Sequence, residues 1–215
     1  MTGTARFIVL EGGDGVGKTT QIALLSAWFD AIGLPHVSTR EPGGTPVGEA
    51  IRALVLGRRD LDMPPESELL LILAARAAFI RDVVRPALDA GTTVLADRFS
   101  LSTLAYQGYG RGLDLDQVRS GIDISTGGLS PDLCLVLDLP ASEGEQRQAK
   151  DGAVPDRIEL AGSGFRQTVR DGYLSLAASE PGVEVVNARG LTEDVHTRIR
   201  DRLIARFPTT FPPFG

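Results

Sequence analysis

The chain has 215 residues, 42% hydrophobic and 23% charged, with 28 acidic against 22 basic side chains and a formal charge of −6. That is enough length and apolar content for one packed domain, and the acidic balance argues against a nucleic-acid partner, which would want a basic stripe. A single cysteine excludes an internal disulfide, and two histidines without a His/Cys cluster speak against a zinc site or a His-based triad hydrolase. Cys134, inside the apolar run 133–137, is expected to be a buried, inert thiol. Residues 1–6 lack the apolar core of a signal peptide and no stretch reaches membrane-spanning length, so we expect a cytoplasmic protein with no membrane partner.

In chain order, the apolar run 7–10 predicts a first strand, and Gly12-Gly13-Asp14-Gly15-Val16-Gly17-Lys18-Thr19 follows it directly. This is GxxxxGKT, a phosphate cradle. Its glycines let successive N–H groups turn inward, and the following helix, predicted at 19–32, presents its positive end to an anion. Lys18 is placed to reach the terminal phosphates of a bound nucleotide, and the Thr19 hydroxyl to ligate Mg²⁺, with Gly12 to Thr20 forming the nucleotide-binding stretch. Only Lys18 and Lys150 among the basic residues are lysines, so one of two sits where a compact ammonium on a flexible stem is useful.

A second strand is predicted around 36–39 and helices at 46–57 and 66–90. The last of these is apolar on most sides, which fits either core packing or a homodimer contact. The third strand, 93–96, ends in Asp97-Arg98, placing a carboxylate for Mg²⁺ and a guanidinium for an acceptor phosphate at the sheet edge where open α/β folds bind ligands. The run 108–112, with three alternate glycines, reads as a loop, and helix 114–126 and strand 133–139 follow. Beyond them come helix 142–150, a glycine-containing mobile loop at 151–164, helix 164–179, strand 183–186 and helix 191–206. Continuous apolar runs mark strands buried on both faces, and their alternation with helices implies a parallel five-stranded sheet with helices on both faces, an α/β three-layer architecture with a short lid at about 142–164. We expect one domain over 1–207, followed by a Pro-rich tail at 208–215 that either extends into solvent or docks.

A phosphate loop alone does not separate kinases, GTPases and motor ATPases. Near its last strand the chain has Asn187-Ala188-Arg189, without the Lys and Asp of a guanine-reading element. Four motifs together carry a closer likeness: 11–20; Arg40-Glu41-Pro42-Gly43-Gly44-Thr45; Asp97-Arg98-Phe99 with 102–108; and Asp156-Arg157-Ile158-Glu159. From about Phe7 to about Phe207 the chain resembles the thymidylate kinases, P-loop enzymes that move the γ-phosphate of ATP to dTMP.

The resemblance implies that Asp14 faces the acceptor sugar, Arg98 binds the dTMP phosphate, and Glu41 and Pro42 lie on the substrate side. It further implies that Arg76 reaches a thymine carbonyl, that Thr103 and Gln107 bond the base edge, and that Tyr106 packs under the deoxyribose. Taken singly, these residues also fit surface ion pairs or core packing. The sequence departs from the family at two places. Ile72 stands where relatives place a Phe on the base, and the lid segment keeps Arg147 and Lys150 but has Ala149 and Asp151 where further arginines could stand. Arg147, Lys150 and Arg157 are therefore the expected transition-state cations. The alternatives are a kinase for another pyrimidine monophosphate such as dUMP, for which Ile72 is the motive, and a non-catalytic nucleotide-binding paralogue.

Overall fold

The computed structural model describes residues 5–150, 152 and 156–212. Strands β1 (Phe7–Glu11), β2 (His36–Arg40), β3 (Thr93–Asp97), β4 (Leu133–Asp138) and β5 (Val183–Asn187) form one parallel sheet in the order β2-β3-β1-β4-β5. Successive side chains of a strand point to opposite faces, so Ile8 and Leu10 enter one apolar layer while Phe7 and Val9 enter another. The first layer is closed by α1 (Lys18–Ala31) and α9 (Thr192–Arg206), through Leu25, Phe29, Ile199 and Leu203. The opposite face is covered by α3 (Pro65–Phe79), α6 (Leu115–Thr126) and α8 (Ser163–Ser179). The chain thus has the expected α/β three-layer form. β2 and β5 correct one expectation: they are the edge strands, and their residues are mostly half-buried or exposed, not covered on both faces.

Local signals place the helix ends. Thr45 caps α2 (Pro46–Arg52) by accepting from the Gly48 N–H at 2.9 Å, and Asp114 caps α6 by accepting from the Gln117 N–H at 3.0 Å. The expected helix at 66–90 is a continuous run: α3, a π-helical stretch Ile80–Val84, then α4 (Arg85–Asp89). The ladder widens ahead of Pro86, which has no N–H to give. Its inner side is core, through Ile72, Phe79 and Val84, while Leu70 stands 65% exposed.

The glycine run at 108–112 is not wholly loop. A short α5 (Ser100–Thr103) continues as a π-helical stretch Leu104–Gly110, packed on α8. Within the expected mobile loop, residues 156–162 carry a 3₁₀ turn at Glu159–Ala161 and Ile158 is buried, while Asp151 and Pro155 lie outside the described residues.

The tail departs most from expectation. Phe211 is fully buried, its ring 5.5 Å from Trp28 and 5.2 Å from Phe29. The tail as far as Pro212 is therefore part of the fold, not an extension into solvent; residues 213–215 lie outside the described residues. Phe211→Ala is expected to destabilise the protein by about 3–5 kcal/mol through lost burial and the cavity left behind, with kcat unchanged below the melting transition. Chemical denaturation would show this as a lower midpoint at constant slope.

Candidate active site

All five strands run the same way, so their C-terminal ends and the loops that follow share one edge, and the order reverses on either side of β1. This is where an open α/β sheet leaves a crevice. A cavity of about 730 Å³ opens there, with Lys18, Arg52, Arg76, Arg98, Arg147 and Lys150 in its wall. Asp14, Glu41, Asp97, Asp156 and Glu159 share that wall, so the cavity offers cations for phosphate groups and carboxylates for a metal ion or ligand donors.

The phosphate loop bridges β1 and α1. Lys18 Nζ donates to the carbonyls of Gly12 at 3.0 Å and Gly13 at 2.7 Å, which holds the ammonium over the loop. Burial and the neighbouring Arg98 push its pKa down to about 8. Residues 14–20 line the cavity, whereas Gly12 and Gly13, expected on the nucleotide side, line a narrower cleft behind the loop and serve it through their carbonyls. The Thr19 hydroxyl donates to Asp97 Oδ2 at 3.3 Å, and Asp97 Oδ1 is buried with no partner. An orphaned carboxylate oxygen beside a hydroxyl fits Mg²⁺, which takes few protein ligands and fills its shell with water and phosphate oxygens.

Arg98 is the only described non-glycine residue with positive φ, 73°. Backbone strain of this kind persists where surrounding contacts over-determine it, and they do. Its Nη1 donates to Gly12 O at 3.0 Å, Ser102 Oγ at 3.3 Å and Tyr173 Oη at 3.2 Å, and its Nη2 pairs with Asp14 Oδ1. The guanidinium lies 5.0 Å over the Tyr106 ring, whose hydroxyl donates to Asp14 Oδ2 at 2.9 Å. Burial alone would raise the Asp14 carboxyl, but Arg98 and Lys18 outweigh it and hold it below the ordinary carboxylate value. Behind Arg98 sits Glu11, fully buried, accepting from Phe99 N, Ser102 and the Tyr173 hydroxyl. Burial raises its carboxyl despite those bonds.

The other end of the cavity is built on α3, where Glu68, Ile72 and Arg76 recur every four residues and so share one helix face. Arg76 is 1% exposed and donates to Glu41 Oε2 from Nε at 2.8 Å and from Nη2 at 2.7 Å. It also donates to Thr103 Oγ1 at 2.8 Å and Phe99 O at 3.0 Å. Ile72, Thr103, Tyr106 and Gln107 line the same space. Helix α7 (Ala141–Lys150) rests directly on the phosphate loop. Gly144 and Gly15 meet backbone to backbone, and a Cβ on Gly144 would lie 2.5 Å from Asp14 O. Gly15, at φ 75°, has no room for a side chain either.

The thymidylate kinase family profile matches residues 10–199, most of the chain and all of the residues just described. The chain belongs to the thymidylate kinase family. A thymidylate kinase of Chlorobium luteolum is 45% identical over 209 residues, covering 93% of this chain and 97% of that protein. One from Deinococcus radiodurans is 50% identical over 175 residues, covering 81% and 84%. The thymidylate kinase structure from Ehrlichia chaffeensis superposes with a TM-score of 0.76 at 31% identity, covering 93% and 98%.

Of the residues expected in a thymidylate kinase site, the fold brings Lys18, Thr19, Asp97, Asp14, Glu41, Pro42, Ile72, Arg76, Arg98, Thr103, Tyr106, Gln107, Arg147 and Lys150 to one cavity. Arg147 Nη2 donates to Ala188 O at 3.2 Å, at the wall formed by the segment after β5. Arg157 is not part of the cavity wall. Its Nε donates to Val55 O at 2.7 Å and its Nη2 pairs with Glu68, so its expected role as a lid cation is corrected to an internal tie. Residues that sequence reasoning missed include Tyr173 and Glu11, which hold Arg98, and Arg52, which donates to Pro42 O at 3.0 Å on the cavity wall. Tyr173 lies 75 residues from Arg98, and no local pattern announces their meeting.

Proposed function

We propose that the chain transfers the γ-phosphate of ATP to dTMP, giving ADP and dTDP, with the residue roles that follow. The carrying observation is Arg98, held in a strained backbone conformation between the phosphate loop and the acceptor end of the cavity. In the reaction an oxygen of the dTMP phosphate forms a bond to the γ-phosphorus as the bond from that phosphorus to the β–γ bridging oxygen breaks, leaving ADP. The transition state is loose and anionic, so positioning and positive charge do most of the work. Lys18 and the loop amides hold the donor, Arg98 and Arg52 the acceptor phosphate, and Asp14 and Tyr106 the sugar. Arg76, Thr103, Gln107 and Ile72 face the base, with Glu41 and Pro42 fixing Arg76 and Arg52 in place. Thr19 and Asp97 would hold Mg²⁺, which when bound offsets charge on the phosphates. α7 covers the loop, and Arg147 and Lys150 on it supply further charge while the lid keeps water out.

This reading carries further parts. The partners are ATP and dTMP, without nucleic acid, given the acidic surface, and the compartment is the cytoplasm, where both nucleotides are available. The chain pairs as a homodimer through α3, a reading supported by exposed Leu70 on that helix, and sedimentation would report it as twice the 22.9 kDa chain mass.

The test is ADP release with Mg²⁺ and ATP, with and without dTMP. Release that depends on dTMP supports the reading, and ATP turnover indifferent to dTMP, or none at all, overturns it. Arg98→Ala is expected to raise the KM for dTMP by at least roughly tenfold, as for loss of a charge-assisted pair, with ATP binding nearly unchanged. If titration instead shows ATP affinity falling while dTMP affinity holds, donor and acceptor sides have been assigned backwards.

A further inference from the structure

We infer that Glu68, which lies behind the proposed base pocket, sets base choice by fixing the amide of Gln107 so that it offers an acceptor to the nucleobase. This rests on the proposed reading of the cavity as a dTMP site and deepens it. Glu68 is fully buried. Its Oε1 accepts from Gln107 Nε2 at 2.8 Å and from Arg111 Nε at 3.2 Å, while its Oε2 accepts from Arg111 Nη2 at 3.1 Å and pairs with Arg157 Nη2. Burial alone would raise this carboxyl, but the bonds from Arg111, Gln107 and Arg157 outweigh that and hold it below its ordinary value.

An ionised carboxylate accepts and cannot donate, and a guanidinium donates and cannot accept. Among these partners the Gln107 amide can therefore turn only its nitrogen toward Glu68. The chemistry of the cluster, not the similar shape of O and NH₂, decides the orientation. Gln107 lines the cavity, and with its nitrogen held by Glu68 its Oε1 is the end of the amide left for a ligand there.

Beside it, Thr103, one helical turn before Gln107, holds Arg76 Nη1 at 2.8 Å. The four bonds of Arg76 use Nε, both Nη2 hydrogens and one Nη1 hydrogen, which leaves one of the five donors of a guanidinium. The wall therefore shows a donor next to an acceptor. A pyrimidine imide, with C4=O beside N3–H, is the complement. Cytosine, with an amino group beside a bare N3, shows the reverse, and a site built for one pattern rejects the other because buried groups are left unpaired.

The test uses the full chain with Mg²⁺ and saturating ATP, comparing kcat/KM for dUMP and dCMP. Both lack the thymine methyl and they differ only at positions 3 and 4 of the base. In Glu68→Gln the residue behind Gln107 can donate as well as accept, the Gln107 amide is free to turn, and the dUMP-to-dCMP ratio is expected to fall roughly tenfold or more. Gln107→Met should lower the ratio similarly, and Glu68→Gln combined with Gln107→Met should lower it no further than Gln107→Met alone.

An unchanged ratio in Glu68→Gln, with both substrates losing equally, makes Glu68 only structural and overturns the inference, as do additive losses in the double variant. Should Glu68→Gln fail to fold, Gln107→Met decides: a lowered ratio supports the acceptor and an unchanged one overturns it. An unaltered chain that phosphorylates none of dTMP, dUMP and dCMP overturns the reading of the cavity itself, whereas turnover of dTMP with a ratio insensitive to these changes overturns this inference alone.

Discussion

Lys18→Ala is expected to lower kcat for phosphoryl transfer by roughly 10³-fold or more, the scale on which a preorganised charge at a transferring phosphate acts, while leaving the fold in place. Among the described residues the side chain bonds only to the carbonyls of Gly12 and Gly13 and belongs to none of the apolar core clusters. Its removal therefore frees two loop carbonyls without opening a cavity in the core. The loss should reside in turnover, because the loop amides and the end of α1 still bind phosphate, although more weakly. Single-turnover rates with ATP and dTMP, alongside circular dichroism melting, would check both halves. Near-normal kcat in a folded variant would remove Lys18 from the mechanism.

Arg147→Ala is expected to slow turnover roughly 10³-fold, the lower end of what a cation supplied to a phosphoryl-transfer transition state is worth, with a smaller effect on ATP affinity. Arg147 and Lys150 lie three residues apart on α7 and reach the same cavity, so one helix face presents both. The planar guanidinium can bridge two phosphate oxygens where the ammonium acts as a point charge, so Lys150→Ala should cost less. Among the described residues Arg157 offers no substitute, since its guanidinium is tied to Glu68 and Val55. Pre-steady-state kinetics on Arg147→Ala, Lys150→Ala and the pair would check this. Wild-type turnover in all three would reduce the lid to a cover held on the loop by Gly144 and Gly15.

By itself the sequence determined what depends on neighbours along the chain. The order of strands and helices follows from apolar runs and 3.6-residue patterns, and the phosphate loop from eight consecutive residues, because each is a local property of the backbone and its side chains. Asp97-Arg98 could be placed at the sheet edge for the same reason: the end of an apolar run in a parallel sheet is a position in space. Ile72 and Arg76 on one face of α3 were legible from their spacing alone.

Only the tertiary structure decided the questions that turn on distant partners. Arg157 sits in a motif that suggests a lid cation, yet Glu68, 89 residues away, takes its charge. Phe211 stands in a segment whose prolines suggest an extension, but a ring buried against Trp28 and Phe29 gains more from leaving water than its short tail loses in freedom. Arg98 owes its strained conformation to Asp14, Ser102 and Tyr173, contributed by three separate elements. A buried charge must find its counter-charge and its hydrogen bonds wherever the fold supplies them, and no run of neighbouring residues records which ones those will be.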